Sequence, residues 1–225
     1  GQEDHGKHPP WFQGPHHEGR NAYLHRTCFL PSNWDRIAGE CRTHGVDLVV
    51  SPFSVEAARE QADRVTAFKV ASGQVCHHEL LRELVKIGKP VLLSSGMTTW
   101  AETLEAAEIL KPVLKTIMVC SSEYPNPPEH WMLGDVGPGV GYSDHSAGIV
   151  APLLAVYRGA DTVEVHVTLS RELYGSDAAH SLEPAQFREL VAGIEQVERA
   201  RDSPVTRDER VAMLAETRKA FLHGS

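Results

Sequence analysis

Six short runs of apolar and β-branched residues recur along the chain, and each is followed by turn residues and then by a helical pattern. The runs occupy residues 47–51, 67–71, 90–94, 116–120, 139–143 and 161–166. Their starts lie 20 to 26 residues apart. Strands that alternate with helices across short links favour a parallel sheet. Runs that are apolar on both faces are typical of strands covered by helices.

The helical patterns that separate these runs share an amphipathic spacing of apolar residues. They cover residues 33–43, 55–62, 79–86, 100–110, 149–158 and 185–199. Gly45, Gly88 and Gly159 fall where three of these helices should end, as a left-handed cap requires. The last helix has an apolar face of Phe187, Leu190, Val191, Ile194 and Val197. A doubly wound sheet and a closed barrel both fit this pattern, although a complete (β/α)8 barrel needs eight units and the sequence holds six.

The part of the chain in which strand and helix patterns alternate predicts one large domain over residues 22–202. The chain has 225 residues, of which 41% are hydrophobic, so it can bury a real core. Residues 1–21 contain no Val, Ile or Leu and are rich in glycine, proline and histidine, which is typical of a flexible segment. A charged helical pattern around residues 207–220 predicts a linker helix within residues 203–225.

Charge and cysteine content exclude several classes of protein. A formal net charge of −8 argues against a nucleic-acid partner. No apolar run approaches the roughly 20 residues of a membrane helix, and the N-terminal residues lack the apolar core of a secretory signal. Cys28, Cys41, Cys76 and Cys120 show no CxxC spacing, so we expect buried free thiols rather than a zinc site, a redox pair or disulfides. These features predict a cytoplasmic protein.

Small polar side chains end or follow each predicted strand. They are Ser51, Ser72, Ser94, Ser122, Ser143 and His166. In parallel α/β folds the carboxyl ends of the strands carry the chemistry, so we expect these side chains to meet at one edge of the sheet. A ring of small hydroxyls, with glycines that let the backbone approach, suits a phosphate or carboxylate ligand. A serine after a strand also serves as a helix N-cap, and that structural role stays open for each serine.

Lys69, Glu164 and two histidines add charge and metal-binding capacity to the same edge. Lys69 interrupts an apolar run, and a strand buried under helices should not carry an unpaired lysine, so we expect it to face an anion. His145 and His166 end consecutive strands, and they fit either two hydrogen-bonded structural histidines or two ligands of one divalent metal with open positions for substrate. Glu164 shares a strand face with His166, so it can orient that histidine or reach the same site.

Six segments in this order resemble the catalytic barrel of the N-acetylneuraminate (sialic acid) synthase family, which includes the legionaminic and pseudaminic acid synthases. They are FKVASG (68–73), LLSSGM (92–97), CSSEYPNP (120–127), GYSDHSAG (141–148), VEVHVTL (163–169) and SLEP (181–184). The resemblance covers about residues 22–200. It implies a (β/α)8 barrel of the TIM type, usually followed by a small antifreeze-like domain. It also implies an enzyme that condenses phosphoenolpyruvate with an open-chain acylamino sugar and releases phosphate.

The resemblance also implies roles for individual residues, carried over motif by motif. Lys69, together with Glu164 from its place on the strand face, is expected to be catalytic. The phosphoenolpyruvate contacts would be Lys69, Ser72, Ser94, Ser122 and Ser143, with Ser51 capping the same pocket. The sugar contacts would be Gln74, Tyr124 and Asp177. His145 and His166 would hold a divalent metal, Mn²⁺ first and Mg²⁺ or Co²⁺ as alternatives, which would polarise the sugar aldehyde.

The sequence departs from the family pattern in four ways. The family's opening strand, with its Glu and its Asn-His-x-Gly motif, is absent, and so is the next strand, which ends in Lys-x-x-Gln or Lys-Phe-Gln. Gln74 stands where the family usually has Glu, and a neutral amide there would alter sugar recognition or proton transfer. The chain stops near Phe221, where the antifreeze-like domain that lends an arginine to the partner's active site would begin.

These departures leave three functions open. The first is a synthase that acts on phosphoenolpyruvate and an acylamino sugar. The second is a non-catalytic relative that binds a sugar or a phosphorylated metabolite, and the third is a different phosphoenolpyruvate aldol-type enzyme on the same barrel. A barrel of six units exposes two sheet edges, so we expect a homodimer or another closing element. The 225 residues are then either a piece of a longer chain or a shortened barrel.

Overall fold

The computed structural model describes residues 25–173, 175, 177–215 and 217–219. Within these residues the chain forms six strands that pair in parallel and in sequential order within one sheet. The flexible segment predicted over residues 1–21 lies outside the described residues. None of the described helices is long and apolar enough to cross a membrane.

Each apolar run predicted from the sequence overlaps one strand, so the expected α/β fold with six parallel strands is confirmed. The strands are β1 (Val49–Val50), β2 (Ala67–Val70), β3 (Val91–Ser94), β4 (Leu114–Cys120), β5 (Val140–Asp144) and β6 (Val163–Val165). The edge strand β1 is shorter than its apolar run, because its ladder with β2 pairs only Val49 with Ala67 and Val50 with Phe68.

The sheet curls into a partial barrel. In a flat sheet, four strand spacings of about 4.8 Å would separate β2 from β6 by about 19 Å. Lys69 on β2 and Glu164 on β6 nevertheless approach to 2.5 Å between Nζ and Oε1. The two strands therefore face each other across a concave interior.

Helices follow the strands and cover the outside of the sheet. They are α1 (Pro31–Thr43), α2 (Val55–Gln61), α3 (His78–Ile87), α4 (Trp100–Leu110), α5 (Val150–Tyr157), α6 (Pro184–Arg201) and α7 (Arg207–Met213). Gly45, Gly88 and Gly159 have φ values of 66°, 77° and 104°, which confirms the predicted left-handed positions at helix ends. The helix predicted around residues 207–220 is α7 up to Met213, and residues 215 and 217–219 are also helical; Ala220 itself lies outside the described residues.

Alternation along the strands separates the core from the concave interior. Phe68 and Val70 are fully buried in a cluster with residues of α3 and α4, so the side chain of Lys69 between them points to the other face of the sheet. Tyr142 on β5 packs in a second buried cluster with α5, which sends Ser143 to the interior in the same way. The period of two therefore delivers one polar residue from each of these strands into the barrel.

The prediction of buried thiols is wrong for two of the four cysteines. Cys28 and Cys76 are exposed, Cys41 is partly buried, and Cys120 is buried; all four are free. Cys28 precedes α1 and Cys76 lies in the turn before α3, where neither a strand nor a helix covers the side chain. Composition alone does not separate such loop positions from Cys120, which ends β4.

The interior opens at the amino ends of the strands as a cavity of about 650 Å³. Its lining includes Asp47, Thr66, Pro90, Leu92 and Lys115. The polar residues that the sequence singled out lie at the opposite, carboxyl ends of the strands. The two ends of the partial barrel therefore differ in chemistry.

Candidate active site

Lys69, Ser143 and Glu164 meet inside the barrel at the carboxyl ends of β2, β5 and β6. Oε1 of Glu164 accepts a hydrogen bond from Lys69 Nζ at 2.5 Å and another from Ser143 Oγ at 2.8 Å. The side chains of Lys69 and Glu164 are 19% and 30% exposed, so the pair is partly screened by solvent. Of the two roles open to Glu164, the structure shows it reaching the site that holds Lys69, since its carboxylate bonds Lys69 and Ser143.

The predicted serines form a second group beside this ion pair. Ser72 Oγ lies 2.9 Å from Ser122 Oγ, which joins the loops that follow β2 and β4. Ser94, at the end of β3, is 1% exposed. Gly96 allows the segments that follow β3 and β4 to approach each other, because a Cβ at Gly96 would collide with Ser122 Oγ and lie 2.8 Å from Cys120 Sγ. Ser51 follows β1 and, within the described part of the chain, makes no hydrogen bond to another residue of this group.

His145 is fixed in one tautomer by the chain around it. Its Nδ1 lies 2.8 Å from the carbonyl oxygen of Ser121, and because a carbonyl only accepts, Nδ1 carries the proton. Nε2 is then an acceptor, and Tyr124 Oη donates to it at 2.9 Å. The lone pair of Nε2 is therefore on the side of Tyr124 and is occupied by its hydroxyl.

Cys120 is a buried partner of His145 that the sequence did not identify. Its Sγ lies 3.7 Å from His145 Nδ1 and 3.8 Å from Ser122 Oγ. Burial raises the pKa of Cys120, but hydrogen bonding and charge from His145 outweigh it and leave the pKa lowered. Burial lowers the pKa of His145, while Cys120 and Ser121 raise it, so the net shift is upward. In the sequence, the available signal for Cys120 was its position at the end of a predicted strand, where the polar site residues also lie.

His166 lies beside His145 at the end of β6. The centroids of the two imidazole rings are 5.1 Å apart, and Asp177 Oδ2 lies 3.5 Å from His166 Nδ1. Burial lowers the pKa of His166, with Asp177 opposing the shift, so the neutral imidazole is favoured. Asp177, rather than Glu164, is therefore the carboxylate that orients His166.

The two imidazoles suit a metal as donors, since each has an oxygen near Nδ1, and a metal at Nε2 of His145 would displace the hydrogen bond from Tyr124 Oη. Among the described residues, no cluster of three or more His, Cys, Asp or Glu side chains is arranged to hold a metal ion. A metal held by His145 and His166 would therefore keep most of its coordination positions for substrate and water.

Tyr124 brings an aromatic face to the same histidines, whereas Gln74 makes a separate contact. The ring centroid of Tyr124 lies 4.3 Å from that of His145 and 5.9 Å from that of His166. Gln74 Oε1 lies 3.1 Å from His77 Nδ1, in the turn that follows β2. The predicted sugar contacts thus divide between the histidine side of the site and the rim near α3.

Comparison with known sequences gives a consistent picture. The NeuB family model matches residues 11–206. N-acetylneuraminate-9-phosphate synthase from Homo sapiens is 36% identical over 150 residues, which is 62% of this chain and 42% of that protein. Pseudaminic acid synthase from Campylobacter jejuni is 30% identical over 202 residues, which is 84% of this chain and 59% of that protein. The chain spans about two fifths to three fifths of the length of these curated relatives.

Comparison with solved structures agrees with the comparison of sequences. The structure of an N-acetylneuraminic acid (sialic acid) synthetase from Leptospira borgpetersenii, in complex with citrate, superposes with a TM-score of 0.75 at 27% identity. The match covers 87% of this chain and 72% of that one. A truncated 3-deoxy-D-arabino-heptulosonate 7-phosphate synthase from Thermotoga maritima shares the fold with a TM-score of 0.66 at 19% identity.

Proposed function

The chain belongs to the NeuB family, and on that premise we propose that it forms the catalytic barrel region of a phosphoenolpyruvate-dependent sugar-acid synthase. The observation that carries the proposal is the meeting of a cation, small hydroxyls and two imidazoles at one edge of the sheet. Lys69 and Ser143 bond Glu164 there, and His145 and His166 lie with their ring centroids 5.1 Å apart.

The anionic substrate would bind at Lys69 and the serines. Phosphoenolpyruvate carries a phosphate and a carboxylate, and the ammonium of Lys69 with the hydroxyls of Ser72, Ser94, Ser122 and Ser143 would neutralise them. Donors that are already held in place before the reaction cost no reorganisation in the transition state. The substrate would also compete with Glu164 for Lys69, because both are anions. Ser51 would cap the same pocket.

His145 and His166 would hold a divalent metal through Nε2, with Mn²⁺ expected first and Mg²⁺ or Co²⁺ as alternatives. A metal bound there supplies Lewis-acid polarisation of the sugar aldehyde. Tyr124 Oη, which donates to His145 Nε2 in the structure, would turn to the sugar instead. Asp177 would keep His166 in the tautomer that presents Nε2.

The reaction follows from this arrangement. The enol carbon of phosphoenolpyruvate would form a bond to the aldehyde carbon of the sugar, water would add to the cationic carbon left behind, and phosphate would leave. Lys69 and the serines would stabilise the charge on the departing phosphate. Glu164, within 2.8 Å of Ser143 Oγ, is placed to accept a proton in the same region.

Closure of the barrel, assembly and location belong to the same proposal. We infer that two further parallel strands between β1 and β6 would complete an eight-stranded barrel, since apolar Val49 and Val167 on these sides are 43% and 53% exposed. A homodimer in the cytoplasm is the expected form, and the four free cysteines are consistent with a reducing compartment. Light scattering of the purified protein tests the dimer.

Phosphate release tests the activity. The purified protein with Mn²⁺ and phosphoenolpyruvate is expected to release phosphate with at least one member of a panel of acylamino sugars and aldose phosphates. The absence of release across the panel would contradict the enzyme assignment for this chain. A non-catalytic relative is the second candidate, favoured by Gln74, a neutral amide at a position where the family usually has Glu. Binding of phosphoenolpyruvate without turnover would support it.

A further inference from the structure

Residues 177–182, between β6 and α6, form a second region beside His166. Leu182 N–H donates to the carbonyl of His166 at 2.8 Å, and Thr168 N–H donates to the carbonyl of Leu182 at 3.0 Å. Ser181, which is 3% exposed, donates through Oγ to the carbonyl of Asp177 at 2.7 Å. The segment is therefore anchored to the end of β6 through Leu182, and the bond from Ser181 to Asp177 ties its two ends together.

Arg171 joins the same segment to the loop that follows β5. Its Nε donates to the carbonyl of Ser181 at 2.8 Å, and its guanidinium also donates to the carbonyl of Ala147 at 2.7 Å. A third contact reaches Gln186 Oε1 at 3.1 Å. The guanidinium is thus engaged in bracing the segment, so its charge is directed at the protein and not at a ligand.

This bracing places His180 beside Tyr124, which also contacts the histidine pair. The ring centroids of His180 and Tyr124 are 6.3 Å apart, with an angle of 57° between the planes. Tyr124 is consequently bordered by His145, His166 and His180. Within the described residues no hydrogen bond or ion pair uses the imidazole of His180, which is partly exposed. Its two ring nitrogens are available for a ligand that covers Tyr124.

The geometry of the site indicates which part of a substrate would reach His180. Lys69 and the serines mark the anion end, and the reacting carbons would lie near His145 and His166. The rest of an open-chain sugar would then extend away from the anion end, over Tyr124, toward Asp177 and His180. The carboxylate of Asp177 is 49% exposed, so it would repel an anionic group and accept hydrogen bonds from hydroxyls.

We propose that His180, with Asp177, binds the hydroxyl groups of an uncharged sugar chain at the end remote from the reacting carbon. The inference rests on the proposed function and names its substrate class: the acylamino sugar is not phosphorylated at that end. An imidazole can donate to a hydroxyl and accept from one, and a carboxylate can only accept. The two residues together therefore match a chain of neighbouring hydroxyls.

The test measures both binding and turnover for His180→Ala, with His44→Ala as the matched control on the exposed end of α1. We expect His180→Ala to raise KM and Kd for the sugar about tenfold, a typical effect of one lost hydrogen bond, with kcat and the KM for phosphoenolpyruvate within about twofold of wild type. His180→Asn, which keeps a donor and an acceptor, should recover part of the loss. Equal sugar KM and Kd in wild type and in both His180 variants would overturn the role of His180.

A second comparison tests the charge of the sugar. The wild-type protein should bind the unphosphorylated sugar more tightly than the same sugar with a terminal phosphate, and Asp177→Asn should narrow that difference. Tighter binding of the phosphorylated sugar by the wild type would overturn the substrate class. A wild type that binds no acylamino sugar of either kind, by calorimetry, would contradict the proposed function itself and with it the inference.

Discussion

The carboxylate of Glu164 lies 2.5 Å from the ammonium of Lys69, across the barrel interior from β6 to β2. The two residues are 95 positions apart in the sequence. Without a ligand, Glu164 neutralises a cation that would otherwise be poorly solvated inside the barrel. An incoming anion must take the place of this carboxylate, so the ion pair opposes the binding of phosphoenolpyruvate while it keeps Lys69 in position.

Replacing Glu164 should therefore raise the affinity for phosphoenolpyruvate and lower the rate of turnover. In Glu164→Gln, Lys69 loses its internal anion, so we expect phosphoenolpyruvate to bind several-fold more tightly. Turnover should fall by about 100-fold, a typical loss for a group that transfers or accepts a proton. Calorimetry gives the affinity, and phosphate release gives the rate. Weaker binding of phosphoenolpyruvate would contradict the competition, and exposed Glu129 supplies the control substitution Glu129→Gln.

Removing either histidine of the pair should abolish metal binding. In His145→Ala and His166→Ala, one of two imidazole donors is lost, so we expect neither variant to retain a stoichiometric divalent ion. Titration of Mn²⁺ followed by electron paramagnetic resonance measures the bound ion. His130→Ala, at an exposed histidine paired with Glu123, is the control. Intact Mn²⁺ stoichiometry in both variants would remove the metal assignment.

Gly96 should not tolerate a side chain. A Cβ in Gly96→Ala would collide with Ser122 Oγ and lie 2.8 Å from Cys120 Sγ, so the serine that bonds Ser72 must move. We expect a loss of about 1–3 kcal/mol in the free energy of unfolding, together with weaker binding of phosphoenolpyruvate. Gly134→Ala, where an added Cβ meets nothing within 4 Å, should leave both unchanged. Equal free energies of unfolding in Gly96→Ala and Gly134→Ala would contradict this prediction, since the loop after β3 would then accommodate the added methyl group.

Glu83 on α3 should make stability depend on acid pH. Hydrogen bonds from Arg59 at 2.7 Å and Lys86 at 3.1 Å lower the pKa of Glu83 to about 2, from an ordinary value of 4.5. Because the folded pKa is the lower one, the stabilisation is present above about pH 4.5 and is lost as pH falls toward 2. Thermal melts should show Glu83→Gln less stable than wild type at pH 7, with the difference shrinking over that acid range. A difference that is independent of pH would mean that packing, not charge, is responsible.

Gln74 should select among sugars. Its Oε1 contacts His77 Nδ1 at 3.1 Å, so the side chain is already oriented in the turn after β2. Gln74→Glu replaces an amide that can donate with a carboxylate that can only accept, and we expect the order of preference within a sugar panel to change. Competition assays with pairs of sugars measure that order. An unchanged order would show that position 74 does not choose the sugar.

The strands and the polar residues at their ends could be predicted because their signals are local. An apolar run, its turn residues and a following serine or histidine all lie within a few positions of one another. The apolar residues on either side of Lys69 predicted that it faces an anion, and the structure shows Phe68 and Val70 fully buried. The sequence predicted Ser143 only as a polar residue at the end of a strand, and its position opposite Tyr142 comes from the structure.

The pairing of these residues could not be predicted, because it depends on how far the sheet curls and on the path of the loops. Glu164 reaches Lys69 only because β6 faces β2, and Asp177 reaches His166 through the hydrogen bonds of the segment before α6. Cys120 lies in the segment CSSEYPNP but was given no role there, and His180 lies outside the six segments. Their contacts with His145 and Tyr124 arise from packing between parts of the chain that are distant in sequence.

The sequential strand order, in which each strand pairs with the next along the chain, gives the molecule a modular construction. Every strand pairing within the sheet joins units that follow one another, so no segment passes through another to reach its place. A unit added beside β1 or β6 would create one new ladder and leave the existing five unchanged. The architecture can therefore grow from its edges, one strand and helix at a time, while Lys69 and the histidines keep their positions.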